Sequence, residues 1–125
     1  MDSEATIRAY YETLRQGEPL YPFFAESDDI VKFGISERLT GYEEVEEGLR
    51  EQTRTTDGWT VESSELRVSE RENGYAWFSD DVFMAWTDTE QRIRYEFDTR
   101  WSGSLERHDN EWRFVELHVS TARSL

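Results

Sequence analysis

The sequence predicts an α+β fold: helices in the N-terminal half, then a run of long antiparallel strands. Three observations carry this. Residues 3–16 repeat apolar side chains at helical spacing. A second helical segment opens at a T-x-x-E pair near residue 40. From Trp59 onward the hydrophobic period drops to two.

In the first segment Ile7, Tyr10, Tyr11 and Leu14 stand at i, i+3, i+4 and i+7, one face of a helix. Ser3 is expected to cap it, Glu4 suits its first turn, and Gly17 suits its stop. Pro19 and Pro22 bracket PLYPFFAES, read as a short helix that docks Phe23 and Phe24 on the core. DIVKFGIS, Asp29 to Ser36, reads as a first strand. Thr40 and Glu43 form a capping box for a helix running to about Thr53. Its apolar stripe is Tyr42, Val45 and Leu49, and Glu43, Glu44, Glu46 and Glu47 make its outer face acidic.

Asn73-Gly74 is the strongest hairpin signal and predicts a two-residue turn pairing residues whose numbers sum to 147. Phe78, Val82, Met84, Trp86 and Val61 then share one face, and Tyr75, Trp77, Phe83, Leu66 and Val68 the other. Neither face can lie bare in water, so helices are expected over one and a cavity or partner subunit over the other. Ile93, Tyr95, Phe97, Trp101 and Leu105 alternate along the next strand, with Arg94, Glu96, Asp98 and Arg100 opposite. A tight turn at Asp109-Asn110 would set Trp101 opposite His118 and Arg100 opposite Val119.

The 125 residues suit one domain, 1–125, and neither a linker nor a repeat interrupts them. A net charge of −14 repels phosphate backbones and argues against a nucleic-acid partner. Thirteen arginines accompany a single lysine, Lys32, on a chain with 28 acidic residues. That balance points to a salt-loving source, since brine screens the repulsion of hydrated carboxylates. Cysteine is absent, which excludes disulfide and thiolate chemistry. The N-terminus lacks the basic start and apolar block of a signal peptide, and no run approaches the ~20 apolar residues of a membrane span. A soluble, cytoplasmic protein without membrane partners is expected.

Several motifs then converge. R-x-S at Arg100–Ser102 and ERHDNEWRFVELHVS at Glu106–Ser120 form a closing hairpin. AYYETLRQGE at Ala9–Glu18 and LTGYEEVEEGL at Leu39–Leu49 form two helix openings. Together they resemble the SnoaL-like branch of the nuclear transport factor 2-like superfamily, which is similar to ketosteroid isomerases. The resemblance implies a cone-shaped, curved mixed or antiparallel sheet with N-terminal helices on its concave side, a cystatin-like fold. It also implies a helix-1 tyrosine as oxyanion donor and a first-strand aspartate as general base. Tyr10 falls on that tyrosine, but Gly34 falls on or near the aspartate, and glycine cannot move a proton. Isomerase chemistry would then need Asp28, Asp29 or Glu37 turned inward.

The candidate catalytic residues are Asp98 and His118. His118 has the only imidazole near the expected core, where its pKa can be moved across neutrality. A structural histidine held by Trp101, Ser120 or backbone is the competing reading. The candidate ligand-binding residues are Tyr10, Tyr11, Trp77, Trp86, Arg100 and Trp101. Arg100 would hold a carboxylate or enolate-like oxygen, a tyrosine would donate a hydrogen bond, and at least two of Trp59, Trp77, Trp86 and Trp101 would wall an apolar cavity. Glu116-x-His118 offers only two metal ligands, so neither a metal nor another cofactor is expected. Asp28-Asp29 and Asp80-Asp81 read as hydrated surface. Two functions stay open: a small-molecule-binding protein of the isomerase, cyclase or dehydratase type, or a non-catalytic association module. A homodimer fits either.

Overall fold

The computed structural model describes residues 1–122. Helix α1 spans Ser3–Gln16 and buries Ile7, Tyr10, Tyr11 and Leu14, the expected face. Its cap is Asp2 rather than Ser3: the Asp2 carboxylate accepts from the Ala5 amide at 2.8 Å. Ser3 is instead buried, and its amide and hydroxyl both donate to Glu70. Gly17 ends the helix at φ +69, a left-handed conformation that glycine adopts without a Cβ penalty. A single 3-10 turn, Tyr21–Phe23, then delivers the buried Phe24 against Phe114.

Strand β1 is only Val31–Phe33, shorter than the expected 29–36. The chain turns back at residues 34–37, where the Gly34 amide donates to the Glu37 carbonyl at 3.0 Å, and β2 follows at Arg38–Thr40. Helix α2 is Tyr42–Thr55, capped by Gly41 at φ +84. The capping-box expectation is thereby corrected. Thr40 closes β2, and its amide donates to Glu44, one residue beyond Glu43. Val45 and Leu49 are buried and Tyr42 half-buried, as the stripe requires.

Five further strands follow: β3 (Thr56–Ser63), β4 (Arg67–Arg71), β5 (Tyr75–Asp88), β6 (Ile93–His108) and β7 (Glu111–Thr121). They form one seven-stranded sheet in the order β2-β1-β7-β6-β5-β3, with β4 also on β5. Among the described residues only strands β1 and β7 pair in parallel. The helices cover the concave face of this curved sheet, as the α+β reading expects. Tyr10 anchors that packing, edge-on to Phe23, Trp101 and Phe114 at 5.4, 6.0 and 5.2 Å. Each fully buried large side chain there stabilises the fold by about 1.5–3 kcal/mol. No helix among the described residues is long and apolar enough to cross a membrane.

Two hairpin registers differ from expectation, each by one residue. At Asn73-Gly74, Arg71 pairs Tyr75 and Val68 pairs Phe78, so the loop has three residues. Gly74 alone is left-handed, at φ +83, while a two-residue primed turn needs positive φ at both central positions. The slip moves Leu66 and Val68 to the Phe78 face, where both pack against the core. At the last hairpin Asp109 and Asn110 are both left-handed, and the two-residue turn forms as expected. A bulge then shifts the register between Ser104 and Leu105. Trp101 therefore pairs Val119, Arg100 pairs Ser120, and His118 pairs Ser102.

Candidate functional site

A cavity of about 380 Å³ opens between α1, the 34–37 turn, the end of α2 and the inner face of β3, β5 and β6. One wall is aromatic. Trp59 stacks on Trp86 at 4.8 Å between ring centroids, and Trp86 stacks on Tyr95 at 5.5 Å with Phe97 beside it at 5.6 Å. These four side chains are half-buried, so part of each ring faces the opening. Deeper in, the Trp101 indole donates to Thr99 at 3.0 Å, which fixes the ring and uses up its donor.

The opposite wall carries the charge. Lys32 leaves β1 on the inward side, level with buried Leu117 of β7, and its side chain is 6% exposed. Its ammonium donates to Glu37 Oε1 at 2.5 Å. Glu37 reaches it from the β1–β2 turn, folding back over Gly34. A Cβ built on Gly34 would stand 2.7 Å from the Glu37 Cγ and 2.8 Å from Oε1. Of the three carboxylates able to replace the one missing at Gly34, Glu37 is the one on the cavity wall.

Tyr10 completes this wall. Burial raises its phenol pKa well above the usual range, and the Glu37 carboxylate adds to the effect. The hydroxyl therefore stays protonated. Among the described residues no buried side-chain polar atom is left unpaired. Tyr10 is among the residues lining the cavity, with 2% of its surface exposed.

Tyr11 does something else. Its hydroxyl donates to Asp80 at 2.7 Å, and Asp80 also accepts from Ser63 and the Glu65 amide. Burial, then this hydrogen bond and the Asp80 charge, push the Tyr11 pKa far up. Tyr11 ties α1 to the sheet and does not line the cavity. Asp80, expected as hydrated surface, is 3% exposed; Asp81 beside it is exposed.

Of the other residues singled out in the sequence, Trp86 and Trp101 line the cavity, while Asp98, Arg100, His118 and Trp77 do not. The expectation that these four work inside it is corrected by strand alternation. Phe97, Thr99 and Trp101 point inward along β6, so Asp98 and Arg100 point outward and are exposed. The bulge before Leu105 turns His118 outward as well, against Phe33 at 5.3 Å. Arg100 and His118 both line a polar depression on the outer face, with Glu65, Arg67 and Asp81. Trp77 is 41% exposed and lies under Arg71. A larger outer hollow of about 710 Å³ is ringed by Glu26, Asp29, Glu106, Glu111 and Glu116, with Val31 and Val115 among its apolar lining. No cluster of three metal-ligating side chains occurs among the described residues.

A family model described as the SnoaL-like domain matches residues 4–124. The chain belongs to the SnoaL-like domain family. A search of the curated proteins finds no match for this SnoaL-like protein. Solved structures give the fold independently. A protein of Streptomyces avermitilis, provisionally named a dehydratase of the NTF2-like family, superposes with a TM-score of 0.83 at 14% identity over 97% of this chain and 94% of that one. A ketosteroid isomerase-like protein of Erwinia carotovora atroseptica gives 0.77 at 15% identity over 97% and 94%. A protein of Xanthomonas campestris, provisionally named a calcium/calmodulin dependent protein kinase II association domain, gives 0.79 at 16% identity over 98% and 86%. At such identities the likeness establishes the fold alone.

Proposed function

We propose that this SnoaL-like protein binds a small, partly aromatic molecule bearing a carbonyl in its concave cavity and moves a proton on it. The observation that carries this is the Glu37 carboxylate, held over Gly34 and paired with Lys32 in an aromatic-walled pocket. Rings of the ligand would stack along Trp59 and Trp86, and its oxygen would accept from the Tyr10 phenol and the Lys32 ammonium. Glu37 would take the proton α to the carbonyl, and the two donors would stabilise the enolate. Isomerisation and dehydration both begin with that step, and neighbours in fold carry dehydratase and isomerase-like names.

The test is hydrogen–deuterium exchange at the α-carbons of 2-tetralone in D2O. The protein should accelerate exchange, and Glu37→Gln should lower the rate by about 10²-fold or more. Equal exchange by both proteins would overturn this reading.

A second reading, association through the outer sheet face, draws on Tyr75 and Trp77, which are 39% and 41% exposed on that face. A neighbour named as an association domain supports it. A homodimer joined there would leave the cavity free. Sedimentation in high salt tests it: Trp77→Glu should convert a dimer to a monomer, and a wild-type monomer would exclude this interface. The acidic surface and the confinement of lysine to one buried position support a salt-rich cytoplasm as the working environment.

A further inference from the structure

We infer that Lys32 is a nucleophile that forms a reversible imine with an aldehyde or ketone bound in the cavity. The inference rests on the cavity being the ligand site and goes beyond proton transfer. Its starting point is a choice of residue. Thirteen of the fourteen basic positions of this chain are arginine, and the single lysine is the one buried on the cavity wall. Arginine serves surface ion pairs here, as at Arg50–Glu46 and Arg54–Glu51. A guanidinium is always charged and cannot attack a carbonyl; an amine can. The position that faces the cavity holds the basic side chain with that reactivity.

The neighbours complete the chemistry. Glu37 Oε1, 2.5 Å from Nζ, can take one proton from the ammonium. The freed lone pair forms a C–N bond to the carbonyl carbon as the C–O π bond breaks, and the oxygen is held by the Tyr10 hydroxyl. A proton passes from nitrogen to oxygen to give the neutral carbinolamine. Glu37 then returns its proton to the departing hydroxyl. Water leaves, the nitrogen lone pair forms C=N, and an iminium remains. One ammonium and one carbonyl become one iminium and one water, with no oxidant or reductant. The aromatic wall would hold the ring of the ligand so that its carbonyl meets Nζ.

The single lysine makes the test clean, because the only other amine is the N-terminus. The 125-residue chain is incubated with 2-naphthaldehyde and sodium cyanoborohydride, which fixes an imine as a secondary amine, and adducts are mapped by peptide mass. Arg54→Lys supplies an exposed reference amine in the same chain. Lys32 should be labelled about tenfold or more faster than that reference. Its labelling should saturate with aldehyde, be suppressed by 2-naphthalenemethanol, and slow in Glu37→Gln while the N-terminus reacts as before. Adducts confined to the N-terminal and reference amines would overturn the inference. Tryptophan fluorescence separates the two failures. If 2-naphthalenemethanol binds and Lys32 stays unlabelled, the cavity is a ligand site and the imine is rejected. If the alcohol does not bind either, both readings fall.

Discussion

The Glu37 carboxylate occupies the space that any side chain on Gly34 would need. The two positions are alternatives: a glycine just after the first strand makes room for an acid from the same turn. Gly34→Ala puts a methyl against Glu37 Cγ and forces the acid off Lys32. Exchange at 2-tetralone should fall about 10-fold or more. The fold should lose only about 1 kcal/mol, because the flexible glutamate yields. Wild-type exchange in this variant would mean that the acid works from elsewhere.

The outer-face residues give the complementary expectation. Asp98→Asn, Arg100→Ala and His118→Ala alter exposed side chains on the far side of the sheet from Trp101 and Lys32. Tetralone affinity, read by tryptophan quenching, should stay within about twofold of wild type, as surface changes away from a site usually do. Trp86→Ala should weaken it about tenfold, since stacked rings contribute about 0.5–1.5 kcal/mol beyond their buried area.

How far the sequence could be read is visible in these same residues. Helix α1, the Asp109-Asn110 turn and the alternation of β6 follow from local spacing, and the structure agrees with them. What spacing could not provide is register. The loop at 72–74 and the bulge before Leu105 each shift one strand by one residue, and each shift changes which side chains face inward. His118 was drawn inward by the assumption of an unbroken ladder. The site itself was half legible. Tyr10, Trp86 and Trp101 line the cavity, and Glu37 is one of the three carboxylates named as replacements for the absent aspartate. Lys32 stood out only as a compositional oddity. Its importance comes from parallel pairing of β1 with β7, a long-range contact that no local pattern announces.

Alkaline pH should unfold the protein through its two buried tyrosines. Tyr10 and Tyr11 both have folded pKa values raised above the ordinary phenol value of 10.0. Above that value the unfolded chain releases protons that the folded chain retains, so stability is full below it and falls as pH rises further. Urea midpoints should decline steeply above about pH 10, and more gently in Tyr10→Phe or Tyr11→Phe. An unchanged slope in both variants would contradict the placement of these phenols.

Salt should act in the opposite sense. With a net charge of −14, the fold works against its own repulsion at low ionic strength. Raising KCl from about 0.1 M to about 2 M shortens the screening length to a few ångströms and should raise the urea midpoint. A midpoint that falls or stays level would remove the argument for a salt-loving source.

The most direct test of the cavity uses its single lysine. Carbon-13 labelling of lysine gives one Cε cross-peak in the NMR spectrum, a probe placed at Lys32 with no assignment needed. Titration with 2-tetralone should move that peak saturably, along the same curve that quenches tryptophan fluorescence, in wild type and in His118→Ala alike. Quenching with a stationary Lys32 peak would place the ligand elsewhere and contradict the account.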